Sequence, residues 1–291
     1  MTNPDEGTFD PDQAALRCAA QSDAALCTIV RLDGSFSRRV GAQIAILTDR
    51  TCVGSLADGC LESELASQAD EARARAEPRI VRYGAGSSIV DFRLPCGSGV
   101  DILIDPEPDR DMLGDAVARL DAREAATVPL AATGEGLLAE RSYEPSLRLV
   151  VLGESLEARE LDRLARAYGI ETVCPEPGKD LALGRKPALS ADAWTAIVLL
   201  FHDHEWERAL LDWALDTTAF FIGAIGGKAS REARIAMLRG QGRGSEEIAR
   251  VRGPVGLIGH TRDARTLALS ILSEVVGAYE GMRGRAADRP Q

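Results

Sequence analysis

Two cysteines stand in sequence contexts that favour chemistry. Cys60 follows Gly59 where a helix is expected to begin. The free amides and the dipole of a helix N-terminus stabilise a thiolate, and thiolates bind soft metals and carry sulfur. Cys96 lies in a glycine-rich loop, Leu94–Gly99, a type of loop whose amides can hold an anion. Local sequence leaves open whether Cys60 reacts or only packs.

The histidines form a second group of candidate residues. His202 and His204 follow a predicted buried strand, in the run 202–205 that also holds two carboxylates, and His260 is the only other histidine. Two histidines at this spacing could bind a metal together with His260. We favour the alternative, a polar cluster or ligand-binding edge in which the carboxylates hydrogen-bond the rings and cap a helix.

Two glycine turns could bind phosphate. After the strand at 147–152, the run Gly153–Ala158 stands where a dinucleotide site has GxGxxG. Glu154 and Glu157 would repel a pyrophosphate, so NAD(P) binding is not expected there, although Glu176 could hold a ribose. The run Gly226-Gly227-Lys228, at a strand end before a helix, is the better anion site in the second half.

The elements that position these residues differ between the two halves. Short strands joined by turns, with one or two helices, predict a small α+β domain over residues 1–126, and residues 127–146 are expected to form a linker with a possible short hairpin. Over residues 147–291, apolar runs alternate with amphipathic helices, which predicts a Rossmann-like parallel sheet. The fold class is therefore α/β.

Composition narrows the possible partners. The 291 residues carry a net charge of −11, so nucleic acid and anionic membranes are not expected as partners. We find neither a signal peptide nor an apolar run near the ~18 residues of a membrane span, and we expect a cytoplasmic protein. None of the six cysteines forms a CxxC pair, which disfavours a zinc ribbon.

Together these motifs resemble the XdhC/CoxI family, accessory proteins of molybdenum hydroxylases such as xanthine dehydrogenase. The matching segments of the first half are Thr28–Val30, Gly34–Ala42, Gly54–Glu62 and Leu94–Gly99. Those of the second half are Phe201–Glu205, Phe221–Lys228, Gly253–Leu257 and Leu269–Val276. Asp58 and Ser98 stand where the family usually has glycine.

The resemblance implies a protein that binds the molybdenum cofactor, protects it during sulfuration and delivers it to a xanthine dehydrogenase-type enzyme. It implies a chaperone without a catalytic residue, a homodimer, and a cysteine desulfurase as a second partner. Cys60 would contact the molybdenum or its sulfur. The remaining residues expected to bind the cofactor are Gly59, Glu62, Cys96, Gly97, Arg38, Arg39, His202, His204, Gly226, Gly227 and Lys228.

Two other functions stay open at this point. The second half could serve an NAD(P)-dependent oxidoreductase, against which the Gly153 turn argues. Alternatively, Cys60 could carry a persulfide in a sulfur-transfer protein.

Overall fold

The structure is a computed structural model, and it describes residues 10–56, 59–87, 97–132, 134–201, 203–259 and 261–287. Of Gly59, Cys60 and His204 it describes the main chain. The chain divides into two compact units, Met1–Pro145 and Ser146–Gln291. Among the helices that the structure describes, none combines the length and the apolar sequence that a bilayer-spanning segment needs.

The first unit is built on a five-stranded antiparallel sheet in the order β3-β2-β1-β5-β4. Its elements are α1 (Pro11–Gln21), β1 (Ala24–Asp33), β2 (Gln43–Leu47), β3 (Cys52–Gly54), α2 (Gly59–Arg75), β4 (Arg79–Gly84), β5 (Gly99–Asp105), α3 (Arg110–Asp121), β6 (Ala126–Pro129) and β7 (Glu140–Tyr143). The predicted strand at 88–92 lies outside the described residues.

Both faces of this sheet are covered, because successive strand residues point to opposite sides. On one face Cys27, Ile29 and Ile44 pack with Leu61 and Leu65 of α2. The opposite face packs against α1, α3 and the hairpin β6–β7; its buried residues include Ala24, Leu26, Ala45, Leu16, Ala116, Val128 and Tyr143. The α+β prediction for this half is confirmed.

Residues 127–146, which the sequence predicts as a linker, hold most of the hairpin β6–β7 and lie in the first unit up to Pro145. The reason is burial: Val128 and Tyr143 contribute to the core beneath α1 and α3. The sequence predicts a helix from Asp109 to Ala126, but α3 ends at Asp121 because Arg123 adopts a left-handed conformation, with φ +63°, which a helix cannot contain.

The second unit is a five-stranded parallel sheet in the order β12-β11-β10-β8-β9. Its elements are β8 (Arg148–Leu152), α4 (Leu156–Ala167), β9 (Glu171–Val173), β10 (Thr195–Leu199), α5 (His204–Asp216), β11 (Phe221–Ala224), α6 (Lys228–Gly240), α7 (Ser245–Ala249), β12 (Val251–Arg252) and α8 (Ala264–Ala287). The Rossmann-like prediction is confirmed.

One face of this sheet forms a core with α5 and α6, in which Val150, Ile197 and Ile222 pack near Leu211 and Leu238. Residues that alternate with these strand positions are also buried but point the other way. On that side α4 contacts β8 and packs against α8. The sequence predicts a helix over 245–251, but α7 ends at Ala249 and Val251 starts strand β12.

Candidate functional site

Apart from Cys96, the predicted site residues of the first unit lie in segments at one end of the strands of its sheet. Strands β1, β3 and β4 end at this edge, and β2 and β5 begin there. The register fixes the arrangement, since Asp33 and Gly84 both pair with Gly99, while Gln43 pairs with Thr28. The loop that carries Arg38 and Arg39, the entry to α2 and the loop end at Gly97 therefore all lie beyond the same strand ends.

Helix α2 places Gly59 and Cys60 in its first turn. Glu62 follows in the same turn, and its Oε1 accepts a hydrogen bond from the Ser55 hydroxyl at 3.0 Å. Ser55 directly follows β3. This contact ties the segment before the helix to its first turn, so it fixes where the chain around Cys60 enters α2.

The glycine-rich loop is described only from Gly97 onward, and Cys96 lies outside the described residues. Gly97 has φ +67°, and a Cβ there would meet nothing within 4 Å. Ser98 is buried, with its Cβ 3.3 Å from the position that a Cβ on Gly34 would take. The turn after β1 and the loop before β5 are thus in contact, and Gly97 presents an open backbone beside them.

The two arginines of the loop 34–42 have different surroundings. Both are exposed. Arg39 Nη2 lies 3.6 Å from Asp12 Oδ2, a carboxylate that also pairs with Arg141 at 3.0 Å. Within the part of the chain that the structure describes, Arg38 has no ion-pair partner. Arg38 is therefore the more available cation for an anionic ligand.

At the first βα turn of the second unit, packing and capping use the positions that a pyrophosphate would need. A Cβ on Gly153 would lie 3.0 Å from the Cβ of Leu200, so the close approach of the segment after β10 favours glycine here. The Ser155 hydroxyl caps α4 by accepting a hydrogen bond from the Ala158 amide at 3.4 Å. Glu154 is exposed at the same turn.

The polar cluster after β10 is described in part. Asp203 caps α5, its Oδ1 accepting from the Glu205 amide at 2.9 Å, and His204 is the first residue of that helix. His202 and His260 lie outside the described residues. Among the residues that are described, no three His, Cys, Asp or Glu side chains converge as metal ligands, and the three-histidine hypothesis stays a prediction.

The turn after β11 leads into α6 through Gly226 and Gly227. Gly226 has φ +117°, and a Cβ there would lie 2.6 Å from Ser230 Cβ. Gly227 is the N-cap and gives the helix no side-chain cap. The Lys228 side chain is 90% exposed and lies 3.9 Å from Glu232. Unlike α4, this helix keeps its first amides free of a capping side chain, which suits an anion.

Comparison with known proteins identifies the family. The model of the XdhC and CoxI family matches residues 18–84, and the XdhC Rossmann domain matches residues 149–275. The molybdenum cofactor insertion chaperone PaoD of Escherichia coli (strain K12) is 30% identical over 302 residues, which cover 94% of this chain and 93% of that protein. The chain belongs to the XdhC and CoxI family.

A solved structure shows the same fold. A crystal structure from Bacillus halodurans, described as a xanthine dehydrogenase, matches this member of the XdhC and CoxI family with a TM-score of 0.71. The match covers 94% of this chain and 97% of the other at 20% identity. At that identity the likeness concerns the fold alone.

One motif shared with the XdhC and CoxI family, Gly253–Leu257, has a packing explanation. A Cβ on Gly256 would lie 2.7 Å from Ser270 Oγ, and the Gly256 amide donates to Glu274 Oε2 at 2.6 Å. The Ile258 amide donates to Ser270 Oγ at 2.7 Å. These contacts fasten the segment after β12 to α8, so this motif positions the sheet edge without contributing a reactive group.

Four cysteines of this XdhC and CoxI protein have described side chains, and all have poorly acidic thiols. Burial raises the pKa of Cys18 and Cys27. Burial, and then the Glu62 carboxylate, raise the pKa of Cys52. Burial together with the hydrogen bond to Asp162 raises the pKa of Cys174 to about 12. At neutral pH these four remain thiols, which are weak metal ligands and weak nucleophiles.

Sequence reasoning missed a buried ion pair in the second unit. Arg234 of α6 donates from Nη2 to Glu207 Oε1 of α5 at 2.6 Å, and their side chains are 3% and 2% exposed. Arg234 Nη2 also donates to the Ile225 carbonyl at 2.8 Å. The partners are 27 residues apart on different helices, so no spacing rule reveals the pair.

Proposed function

We propose that this chain binds the molybdenum cofactor, protects it during sulfuration and delivers it to a xanthine dehydrogenase-type enzyme. The cofactor is cargo in this proposal, not a resident group. The proposal includes a cysteine desulfurase as sulfur donor, a homodimer and a cytoplasmic location, as the sequence analysis expects.

The observation that carries the proposal is the common edge of the first sheet. Three segments adjoin strand ends at that edge: the entry to α2 with Cys60, the loop with Arg38, and the backbone at Gly97 just before β5. A thiolate for the molybdenum or its sulfur, a cation for the pterin phosphate and an open glycine backbone are the groups that this cargo needs. PaoD, similar over nearly the whole chain, carries the name of such a chaperone.

The other cysteines support the assignment to Cys60. Since the thiols of Cys18, Cys27, Cys52 and Cys174 have raised pKa values, they are poor thiolate donors at neutral pH. Cys60 stands in the first turn of α2, where the helix dipole favours a thiolate. We propose it as the molybdenum contact, with Cys96 as a second cysteine at the same site.

The turn after β8 does not favour the alternative function, an NAD(P)-dependent oxidoreductase. A dinucleotide pyrophosphate normally accepts hydrogen bonds from the first amides of the helix after β8. Here the Ser155 hydroxyl takes one of those amides and Glu154 adds a negative charge to the turn. Intrinsic-fluorescence titration with NADH tests this point, and micromolar binding would restore the oxidoreductase as the leading function.

A transfer assay tests the proposal itself. Purified chain, loaded with sulfurated molybdenum cofactor, is mixed with a cofactor-free xanthine dehydrogenase-type enzyme, and the recovered hydroxylase activity is measured. We expect Cys60→Ala to abolish most of the recovery and Cys174→Ser, the matched exposed control, to leave it unchanged. Full delivery by Cys60→Ala would contradict the role of this cysteine in both cofactor handling and persulfide transfer.

A further inference from the structure

A cavity in the second unit is lined by three arginines that no proposed function uses. It has a volume of about 280 Å³ and lies between α6, α7 and β12. Arg231, Arg234 and Arg239 of α6 contribute to its wall, together with Ser245 and the glycine after β12, Gly253. In a protein with net charge −11, a cluster of three cations calls for an explanation.

The spacing of the arginines follows from the helix. Residues four apart on an α-helix lie on the same face, one turn above the other. Arg231 and Arg239 are eight apart, with Ile235 between them, so both flank the cavity along α6. Arg234 lies one turn from Arg231 on the neighbouring row, and its side chain is 3% exposed.

Among the described residues, an ion pair offsets only one of the three arginines that line the cavity. Glu207 offsets the charge of Arg234. Over the described residues, neither Arg231 nor Arg239 has an ion-pair partner, and both are exposed. Two positive charges are therefore left over at the cavity, which matches the charge of ~−1.5 to −2 on a phosphate group at pH 7.

The side chain of Arg234 gives independent evidence that the cavity binds an anion. Its Nη1 is buried and has no hydrogen-bond partner among the described residues, whereas Nε and Nη2 donate hydrogen bonds to Glu207. A Cβ on Gly253 would lie 3.0 Å from this Nη1, so the unpartnered nitrogen faces the wall that Gly253 contributes to the cavity. A buried charged donor without an acceptor is costly, and guanidinium groups hold phosphate oxygens well.

We infer that this cavity is a binding site for a phosphate group, held by Arg231 and Arg239 over the fixed charge of Arg234. The cavity volume of about 280 Å³ is several times the ~30 Å³ that one water molecule occupies in the liquid, so it has room for a group of several non-hydrogen atoms such as phosphate. The ligand is then inorganic phosphate or the phosphate end of an organic ester. The cavity lining includes no residue of the proposed function, although Arg234 lies beside Gly226. The inference does not depend on that function.

The test measures binding by the full chain at constant ionic strength, with chloride as the replacing salt. Isothermal titration calorimetry is run with inorganic phosphate, glycerol phosphate and adenosine monophosphate as probes. Arg231→Gln with Arg239→Gln is expected to weaken binding at least tenfold, which is about 1.4 kcal/mol. The matched control is Arg163→Gln, an exposed arginine of the same unit that pairs with Glu160, and it is expected to bind like the parent.

The three probes separate the sources of phosphate. Tighter binding of an ester than of inorganic phosphate supports the site and places the attached group in the cavity, whereas equal binding supports a site for phosphate alone. Arg234 stays unchanged in these variants because its loss would remove the guanidinium that offsets the buried charge of Glu207. The inference is overturned if no probe binds at about 10 mM, weaker than any useful affinity, or if Arg163→Gln weakens binding as much as the double variant.

Discussion

The buried pair of Arg234 and Glu207 leads to the most quantitative prediction. Glu207→Gln keeps the shape of the side chain but removes its charge. The amide that replaces one carboxylate oxygen then points a donor at a guanidinium that is itself a donor, at the present contacts of 2.6 and 3.3 Å. Arg234 is left as a buried cation, because its side chain is only 3% exposed.

The expected loss in free energy of unfolding follows from the short distance between Arg234 and Glu207 and from the burial of both side chains. Two unit charges about 3 Å apart interact by roughly 5 kcal/mol at an effective dielectric constant of ~20. Breaking a buried pair by removing one partner costs about 3–5 kcal/mol, whereas replacing both partners by apolar residues is often neutral. We expect Glu207→Gln to lower the free energy of unfolding of the second unit by about 3 kcal/mol or more.

Urea unfolding followed by circular dichroism measures this loss. Two comparisons define the result. Glu160→Gln removes a carboxylate that is 16% exposed and pairs with the exposed arginines Arg163 and Arg265, and it should cost about 1 kcal/mol or less. The double variant Arg234→Met with Glu207→Met should be more stable than Glu207→Gln. Phosphate should stabilise Glu207→Gln more than the parent, since the cavity has gained an uncompensated charge. A loss for Glu207→Gln no larger than that for Glu160→Gln would refute the reasoning.

Three further predictions concern the first unit and the cysteines. Gly99→Ala should destabilise the protein by more than about 2 kcal/mol, because the new Cβ would lie 2.9 Å from a backbone oxygen. Gly97→Ala, whose Cβ would meet nothing within 4 Å, should cost about 1 kcal/mol for its left-handed backbone alone. Equal melting temperatures for the two variants would contradict this. Burial raises the pKa of Asp105, so ionisation of its carboxyl group destabilises the fold as pH rises from the unfolded-state pKa through the folded-state pKa. Asp105→Asn should therefore raise the melting temperature at pH 7 but have little effect below pH ~4. A lower melting temperature of this variant at pH 7 would count against the prediction. Iodoacetamide at pH 7 should alkylate Cys60 at least about tenfold faster than Cys174, whose pKa is raised to about 12. Mass spectrometry measures the two rates, and earlier modification of Cys174 would contradict the assignment of Cys60 as the reactive thiolate.

The strands and most helices could be predicted from local sequence, because hydrophobic patterning and turn residues act over a few neighbours. The apolar run 147–152 predicted β8, and the glycine after α4, Gly169, marked its end. Strand β12 was missed since two residues carry no pattern. The end of α3 was missed because Arg123 takes a left-handed conformation that its residue type does not favour.

The candidate site was predictable only where it depends on motifs. Glycine and cysteine runs indicated Gly59, Cys60 and Gly97, and the parallel βα pattern placed 202–205 and 226–228 at the carboxyl edge of a sheet. The contact between Ser55 and Glu62 joins residues seven apart and needs the turn between them to be built. The arginine-lined cavity could not be predicted from the sequence of α6 alone, because the burial of Arg234 depends on its pairing with Glu207 of α5.

Cofactor binding by the purified chain tests the central claim most directly. The chain is isolated from cells that make the molybdenum cofactor, molybdenum is measured by mass spectrometry, and the pterin is measured by fluorescence after oxidation. The account predicts that the parent chain and Cys174→Ser carry molybdenum and pterin together, and that Cys60→Ser loses both. A parent chain free of pterin, or a Cys60→Ser variant that retains as much as the parent, would contradict it.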